Sequence, residues 1–276
     1  MLKIDLPKLL VSIRSAEEAN IVENAEIGIL DVKEPSRGGL GASDPETLRE
    51  IAEVVNRSNQ NRVLSFSAGE LIQWFPQLGG VADELDLKSD RSLVQHYGHG
   101  LLSQYKYVKV GLAGSFYGQA NGQVIEGSKR GSKQILDWRT IWKRFFEDLP
   151  IPTRAVAVVY LDFRDCSAPP PGEVIRVAAE ANNCDVVLFD TFHKSGNLFS
   201  HVSITELEEM VLSARNHGLI AVIAGSIDLS CLVKVVSAAP DFVGVRGAVC
   251  RGERTSQIDS DLVDKFAREL VEVVSN

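Results

Sequence analysis

Eight short apolar runs, rich in Val, Ile and Leu, are spread along the whole chain and limit what it can fold into. They are "LLVSI" from Leu9, "IGILDV" from Ile27, "RVLSFSA" from Arg62, "YKYVKVGLAG" from Tyr105, "RAVAVVYLD" from Arg154, "DVVLFDT" from Asp185, "LIAVIAG" from Leu219 and "FVGVRGA" from Phe242. Runs apolar at nearly every position suit strands buried on both faces, which is the situation in a parallel sheet. Between them lie segments of helical periodicity: "SAEEANIVENA", "DPETLREIAEVV", "GEVIRVAAEANN", "SITELEEMVLSARNHG" and the closing "DSDLVDKFARELVEVV". Several open on an N-cap residue, Ser15, Asp44 and Ser203, and one ends at Gly218, where a C-terminal glycine belongs. Eight strands, each followed by a helix, predict a single-domain (β/α)8 TIM barrel over residues 1–276, with an open doubly wound sheet as the alternative. Two stretches exceed what a strand-to-helix connection needs, 71–100 and 115–133, and are expected as extended loops, the first also carrying the third helix.

Composition narrows the function classes. With 29 Lys and Arg against 37 Asp and Glu, the net charge of -8 argues against a general nucleic-acid surface, which needs clustered cations to neutralise phosphates. No apolar run reaches the roughly 18 to 20 residues that span a bilayer, so a cytoplasmic protein without a membrane partner is expected. Cys166, Cys184, Cys231 and Cys250 are scattered, without a C-x-x-C pairing, and read as small core residues. His96 and His99 stand three apart without an acidic or cysteine partner nearby, so no metal site is expected.

In a barrel of this class the chemistry lies at the C-terminal ends of the strands. Residues two apart on a strand share a face, so Asp31 and Lys33 project together, and the fourth strand sends Lys109 to the same side as Tyr107 and Gly111. The fifth strand contributes Asp162, the sixth Asp190, and the following loop Lys194 and His193. Single strand-end charges are usually solvated. Three lysines and three acids converging on one cavity are harder to explain that way, since a buried charge is costly unless paired. A lysine among other cations and apolar walls loses proton affinity, and its neutral amine attacks a carbonyl to form a Schiff base. Asp31 is expected to move protons for Lys33, and Lys109, with no acid beside it, to serve as general base. Gly225, Ser226, Arg246 and Gly247, in the loops after strands seven and eight, form the expected phosphate cradle. Arg37, beside Gly38, Gly39 and Gly41, is a candidate for a second phosphate.

The motifs "DVKEPSRGGLGA" at Asp31, "YVKVGL" at Tyr107, "CDVVLFDTFHKSGNLF" at Cys184, "AGSI" at Ala224 and "VGVRGAVCRG" followed by "IDSDLV", in that order, resemble the (5-formylfuran-3-yl)methyl phosphate synthase family of methanofuran biosynthesis. The resemblance implies a (β/α)8 fold and a lyase that joins two glyceraldehyde-3-phosphate molecules into a furan aldehyde phosphate, with loss of phosphate and water. It implies no metal or organic cofactor, a Schiff base on Lys33, proton acceptance by Lys109, and support from Asp190 and Lys194. Triose phosphates are then the expected partners, with self-association into a homo-oligomer. The segments 71–100 and 115–133 and the stretch "RGERTSQ" depart from the family pattern. A class I aldolase, a sugar-phosphate isomerase and a non-catalytic phosphometabolite-binding barrel remain as alternatives on the same scaffold.

Overall fold

The computed structural model describes residues 7–58, 62–76, 78, 92–116 and 137–275. Eight parallel strands close on themselves in sequence order. They are β1 (Lys8–Ile13), β2 (Ile29–Val32), β3 (Val63–Glu70), β4 (Tyr107–Gly111), β5 (Arg154–Tyr160), β6 (Cys184–Asp190), β7 (Ile220–Ile223) and β8 (Phe242–Val245). The ring is completed where Leu9 and Val11 of β1 stand opposite Val243 and Val245 of β8. The expected α/β barrel is therefore the fold, and the open sheet is excluded.

The helices are α1 (Ala16–Ile21), α2 (Pro45–Arg57), α3 (Leu71–Trp74), α4 (Leu93–Tyr97), α5 (His99–Leu102), α6 (Trp138–Phe145), α7 (Pro171–Ala179), α8 (Ile204–Asn216), α9 (Leu232–Ser237) and α10 (Ser260–Ser275). Local chemistry sets their ends. The Ser15 hydroxyl accepts from the Glu18 N–H at the start of α1, and Ser203 and Glu206 form a reciprocal capping box on α8. Gly218 takes a φ of +75° just past α8, a left-handed conformation that a residue with a Cβ resists. In α2 the buried residues Leu48, Ile51, Ala52 and Val55 recur at helical spacing and form one apolar stripe.

Strand alternation divides the core into two shells. Outward residues such as Val11, Leu30, Phe66, Val108 and Phe189 pack under the helices. Inward residues, Leu10, Ile29, Val156, Val158, Leu188 and Val222 among them, fill the barrel itself. The four cysteines are buried and free. Where a single helix is expected after β3, the described residues form three short ones, α3 to α5, and much of 71–100 and 115–133 lies outside the described residues. Among the described residues no helix is long and apolar enough to cross a membrane.

Candidate active site

A cavity of about 410 Å³ opens at the C-terminal end of the barrel, lined by Asp31, Lys33, Lys109, Asp190 and Lys194 on one side and by Gly225, Ser226, Arg246, Gly247 and Arg254 on another. Inward positions on different strands bring these residues together. Asp31 stands opposite Ser12 of β1 and Ser65 of β3, and all three face the interior at the same level.

The partnership of Asp31 differs from the expected one. Its Oδ1 is ion-paired with Lys109 Nζ rather than with Lys33. The Ser12 hydroxyl donates to Oδ2 at 3.2 Å, and the Ser65 hydroxyl donates to Oδ1 at 2.5 Å. Lys109 also donates to Ser65 Oγ at 3.3 Å, so it leans across β3 to reach β2. The reason is geometric: Asp31 and Lys33 are two strand residues apart, roughly 6.6 Å along the chain, while the long lysine stem spans the interior. Lys109 is thus not a lysine without an acid. Burial alone would raise the Asp31 carboxyl, but Lys109 and Lys33 and the hydrogen bonds from Lys109 and Ser65 outweigh it and hold it below the ordinary carboxylate range.

Lys33 lies one residue past β2, yet its N–H still donates to Ile13 O at 3.0 Å, which keeps its side chain in strand alternation. It is 8% exposed, and among the described residues its amine makes no ion pair or hydrogen bond. Burial pushes that amine down to about 8; Asp190 and Asp31 oppose the fall, and Lys194 and Lys109 deepen it. Asp190 is held on its other side, where Lys194 Nζ contacts its Oδ1 at 2.6 Å and the Thr191 N–H donates to the same oxygen at 2.8 Å. Lys194 also donates to Thr191 O. Gly39 packs closely beside it, where a Cβ would lie 3.2 Å from the Lys194 Cε.

Three candidate residues have other work. Asp162 lies beyond the end of β5, and its carboxylate accepts from the N–H groups of Phe192 and His193, each at 2.8 Å, and sits 3.0 Å from His193 Nδ1. It clasps the loop after β6 and does not line the cavity. Those bonds outweigh burial and hold its carboxyl low. Arg246 lines the cavity wall, but all five of its N–H donors are engaged: Nε on Arg254 O, Nη1 on Ser12 O and Glu18 Oε2, Nη2 on Glu18 Oε1 and Ser256 O. A guanidinium so saturated, ion-paired with buried Glu18, has no donor left for a phosphate. Arg37 grips Asp44 through two bonds of 2.9 and 2.8 Å and does not line the cavity.

Sequence reasoning missed Arg254, which lines this wall and whose guanidinium has, among the described residues, one hydrogen bond, from Nη2 to Gly38 O at 3.2 Å. The backbone around it is shaped for close approach: Gly225 has φ +105° and Ser226 φ +53°, and a Cβ on Gly247 would meet nothing nearer than the Arg254 Cβ at 3.8 Å. Ser12 and Ser65 were legible in principle, as polar residues at inward strand positions. Arg254 sits in an irregular loop and carries no such mark. His96 packs edge-on against Trp74, with ring centroids 5.3 Å apart. Among the described residues no group of three or more His, Cys, Asp or Glu is placed to hold a metal ion.

The family model for 4-HFC-P synthase matches residues 9–267. A (5-formylfuran-3-yl)methyl phosphate synthase of Methanopyrus kandleri is 34% identical over 267 residues, covering 96% of this chain and 99% of that protein. The synthase of the same name from Archaeoglobus fulgidus is 30% identical over 260 residues, covering 94% and 97%. Among solved structures, 3-hexulose-6-phosphate synthase from Salmonella typhimurium matches with a TM-score of 0.54 at 13% identity, over 96% of this chain and 99% of that one. Likeness at that identity speaks for the fold alone.

Proposed function

The chain belongs to the 4-HFC-P synthase family, and on that footing we propose that it is a lyase joining two molecules of glyceraldehyde-3-phosphate into (5-formylfuran-3-yl)methyl phosphate through a Schiff base on Lys33, as a step of methanofuran-type carrier synthesis. The observation that carries this reading is a buried amine at Lys33, unpaired among the described residues, beside the ion pair of Asp31 and Lys109. With an amine near 8, about a tenth of Lys33 is neutral at pH 7, enough to attack an aldehyde carbon. The carbinolamine then loses its hydroxyl with the C–O electron pair, and the Lys109 ammonium supplies the proton that makes it water. Lys109, now neutral and held by Asp31 and Ser65, takes the proton from the carbon next to the iminium. Its role is therefore acid first and base second, where the sequence suggested a base throughout.

The electron pair so released expels the phosphate β to it, which departs with its C–O electrons, and the enol of the unsaturated imine left on Lys33 is the carbon nucleophile that attacks the carbonyl of the second triose. Ring closure with loss of water, and hydrolysis of the imine, return Lys33. Asp190 and Lys194 hold a second proton store on the other flank of Lys33. The substrate phosphate is assigned to Arg254 with the backbone of Gly225, Ser226 and Gly247, which share one wall of the cavity. The test is incubation with glyceraldehyde-3-phosphate alone. An ultraviolet-absorbing furan aldehyde with matching phosphate release is expected; dihydroxyacetone phosphate alone would make it an isomerase, and no turnover a binding protein.

A further inference from the structure

A second acid–base pair lies on the β3–β5 side of the mouth, in no motif that the proposed chemistry uses. By strand alternation Ser65 and Ser67 face inward, so Glu70 should face the helices. It does not, because the register of β3 against β4 slips between Ser67, opposite Lys109, and Glu70, opposite Gly111. The extra residue is accommodated at Gly69, with φ +84°, and the bulge turns Glu70 inward. There its Oε1 accepts from the Tyr160 hydroxyl at 2.6 Å and its Oε2 from the Ala113 N–H at 3.0 Å. Gly111 leaves the space for this contact, since a Cβ there would collide with both Glu70 Oε2 and Tyr160 Oη. Tyr160 is the last residue of β5 and stands in register with Asp190, so its ring also faces the interior.

The pair thus sits over Gly111, two residues above Lys109 on the same face of β4, a rise of roughly 6.6 Å. Neither residue of the pair is among those lining the cavity, but the Glu70 carboxyl lies close enough to feel Asp190 and Lys194, which do line it. We propose that Glu70, oriented by Tyr160, is a further catalytic acid of this site, giving its proton to the hydroxyl that leaves as the furan ring forms, while Lys109 removes the carbon-bound proton. The C–O bond breaks with its electrons on oxygen, the Glu70 proton completes a water, and the carboxylate is reprotonated from solvent. The step rests on the function proposed above.

The electrostatics suit an acid used near neutrality. Burial pushes the Glu70 carboxyl up to about 7, the Tyr160 and Ala113 bonds restrain the rise, Asp190 adds to it and Lys194 opposes it. Cys166 also faces the pair, and burial keeps its thiol neutral at these pH values. Burial and the Glu70 charge likewise raise the Tyr160 phenol, which stays a donor.

The experiment compares wild type, Glu70→Gln and Tyr160→Phe in furan formation and in borohydride trapping of the imine, each checked for folding by circular dichroism. Glu70→Gln should trap the imine within about twofold of wild type yet form furan 100-fold or more slowly, the range of general acid catalysis. The alkaline fall in wild-type kcat, centred near 7, should vanish in Glu70→Gln. It should move to higher pH in Tyr160→Phe, which takes one donor from the carboxylate. Wild-type turnover in Glu70→Gln with an unchanged pH profile would overturn the assignment. So would loss of the imine in folded Glu70→Gln, because the residue would then only shape the Lys33 pocket. If wild type itself makes no furan, the proposed reaction falls and the role of Glu70 in it falls too; if only the variants match wild type, the reaction stands and this role alone is lost.

Discussion

Replacing Lys33 with methionine should make the protein more stable, and by an amount that depends on pH. An ordinary lysine amine titrates at 10.5, and this one at about 8 inside a residue that is 8% exposed. Holding the charged form in the barrel therefore costs about 3 kcal/mol, at ~1.4 kcal/mol per decade. Methionine has a similar length and no charge, so its packing term is small. Below pH 8 both folded and unfolded wild-type chains carry the proton, and the whole cost is present. Between 8 and 10.5 the unfolded chain binds a proton that the folded chain has lost, so the cost fades and wild-type stability rises with pH relative to the variant. Thermal unfolding at pH 7 should show Lys33→Met melting roughly 6 to 12 °C above wild type, given about 2 to 4 °C per kcal/mol for a domain of this size. The gap should shrink by pH 10. A variant no more stable than wild type, or a gap that ignores pH, would refute the claim that Lys33 carries a desolvated, unpaired charge; such a destabilised group is what a site built for chemistry retains.

Two further outcomes follow from the same geometry. Asp31→Asn leaves the Lys109 ammonium buried without its counterion and should cost about 3 to 5 kcal/mol by thermal unfolding; it should also lower the pH at which Lys33 forms an imine, because Asp31 is one of the groups that supports the Lys33 proton. An unmoved imine profile would contradict the coupling. Arg254→Met should raise KM for glyceraldehyde-3-phosphate about 10- to 100-fold, as expected for losing a charge-assisted hydrogen bond, with little change in kcat and none in weak imine formation from unphosphorylated glyceraldehyde. Equal losses with both aldehydes would remove Arg254 from the phosphate site.

How far the sequence could be read is visible at particular residues. The barrel was legible because a parallel strand is buried on both faces and shows as an apolar run, as in "RAVAVVY" of β5. Asp31, Lys33, Lys109 and Asp190 were legible because alternation alone sends them to the mouth. The pairing among them was not: nearness in sequence favoured Asp31 with Lys33, whereas the ion pair joins residues 78 positions apart across Ser65. Arg246 reads as a phosphate ligand until folding brings Glu18 against it, 228 residues earlier in the chain. Glu70 drew no expectation, because it lies past the apolar run "RVLSFSA" and only a bulge turns it inward. Each miss depends on a long-range contact or a register slip, and neither leaves a local signature.

Borohydride trapping followed by peptide mapping tests the central claim most directly. Protein incubated with glyceraldehyde-3-phosphate and reduced should carry a triose-derived mass on the peptide containing Lys33, and Lys33→Arg, which keeps a charge but cannot attack a carbonyl, should carry none. Lys109→Ala should still yield a Lys33 adduct while making almost no furan. An adduct on Lys109 or Lys194 in the wild-type protein, with Lys33 unmodified, would contradict the account.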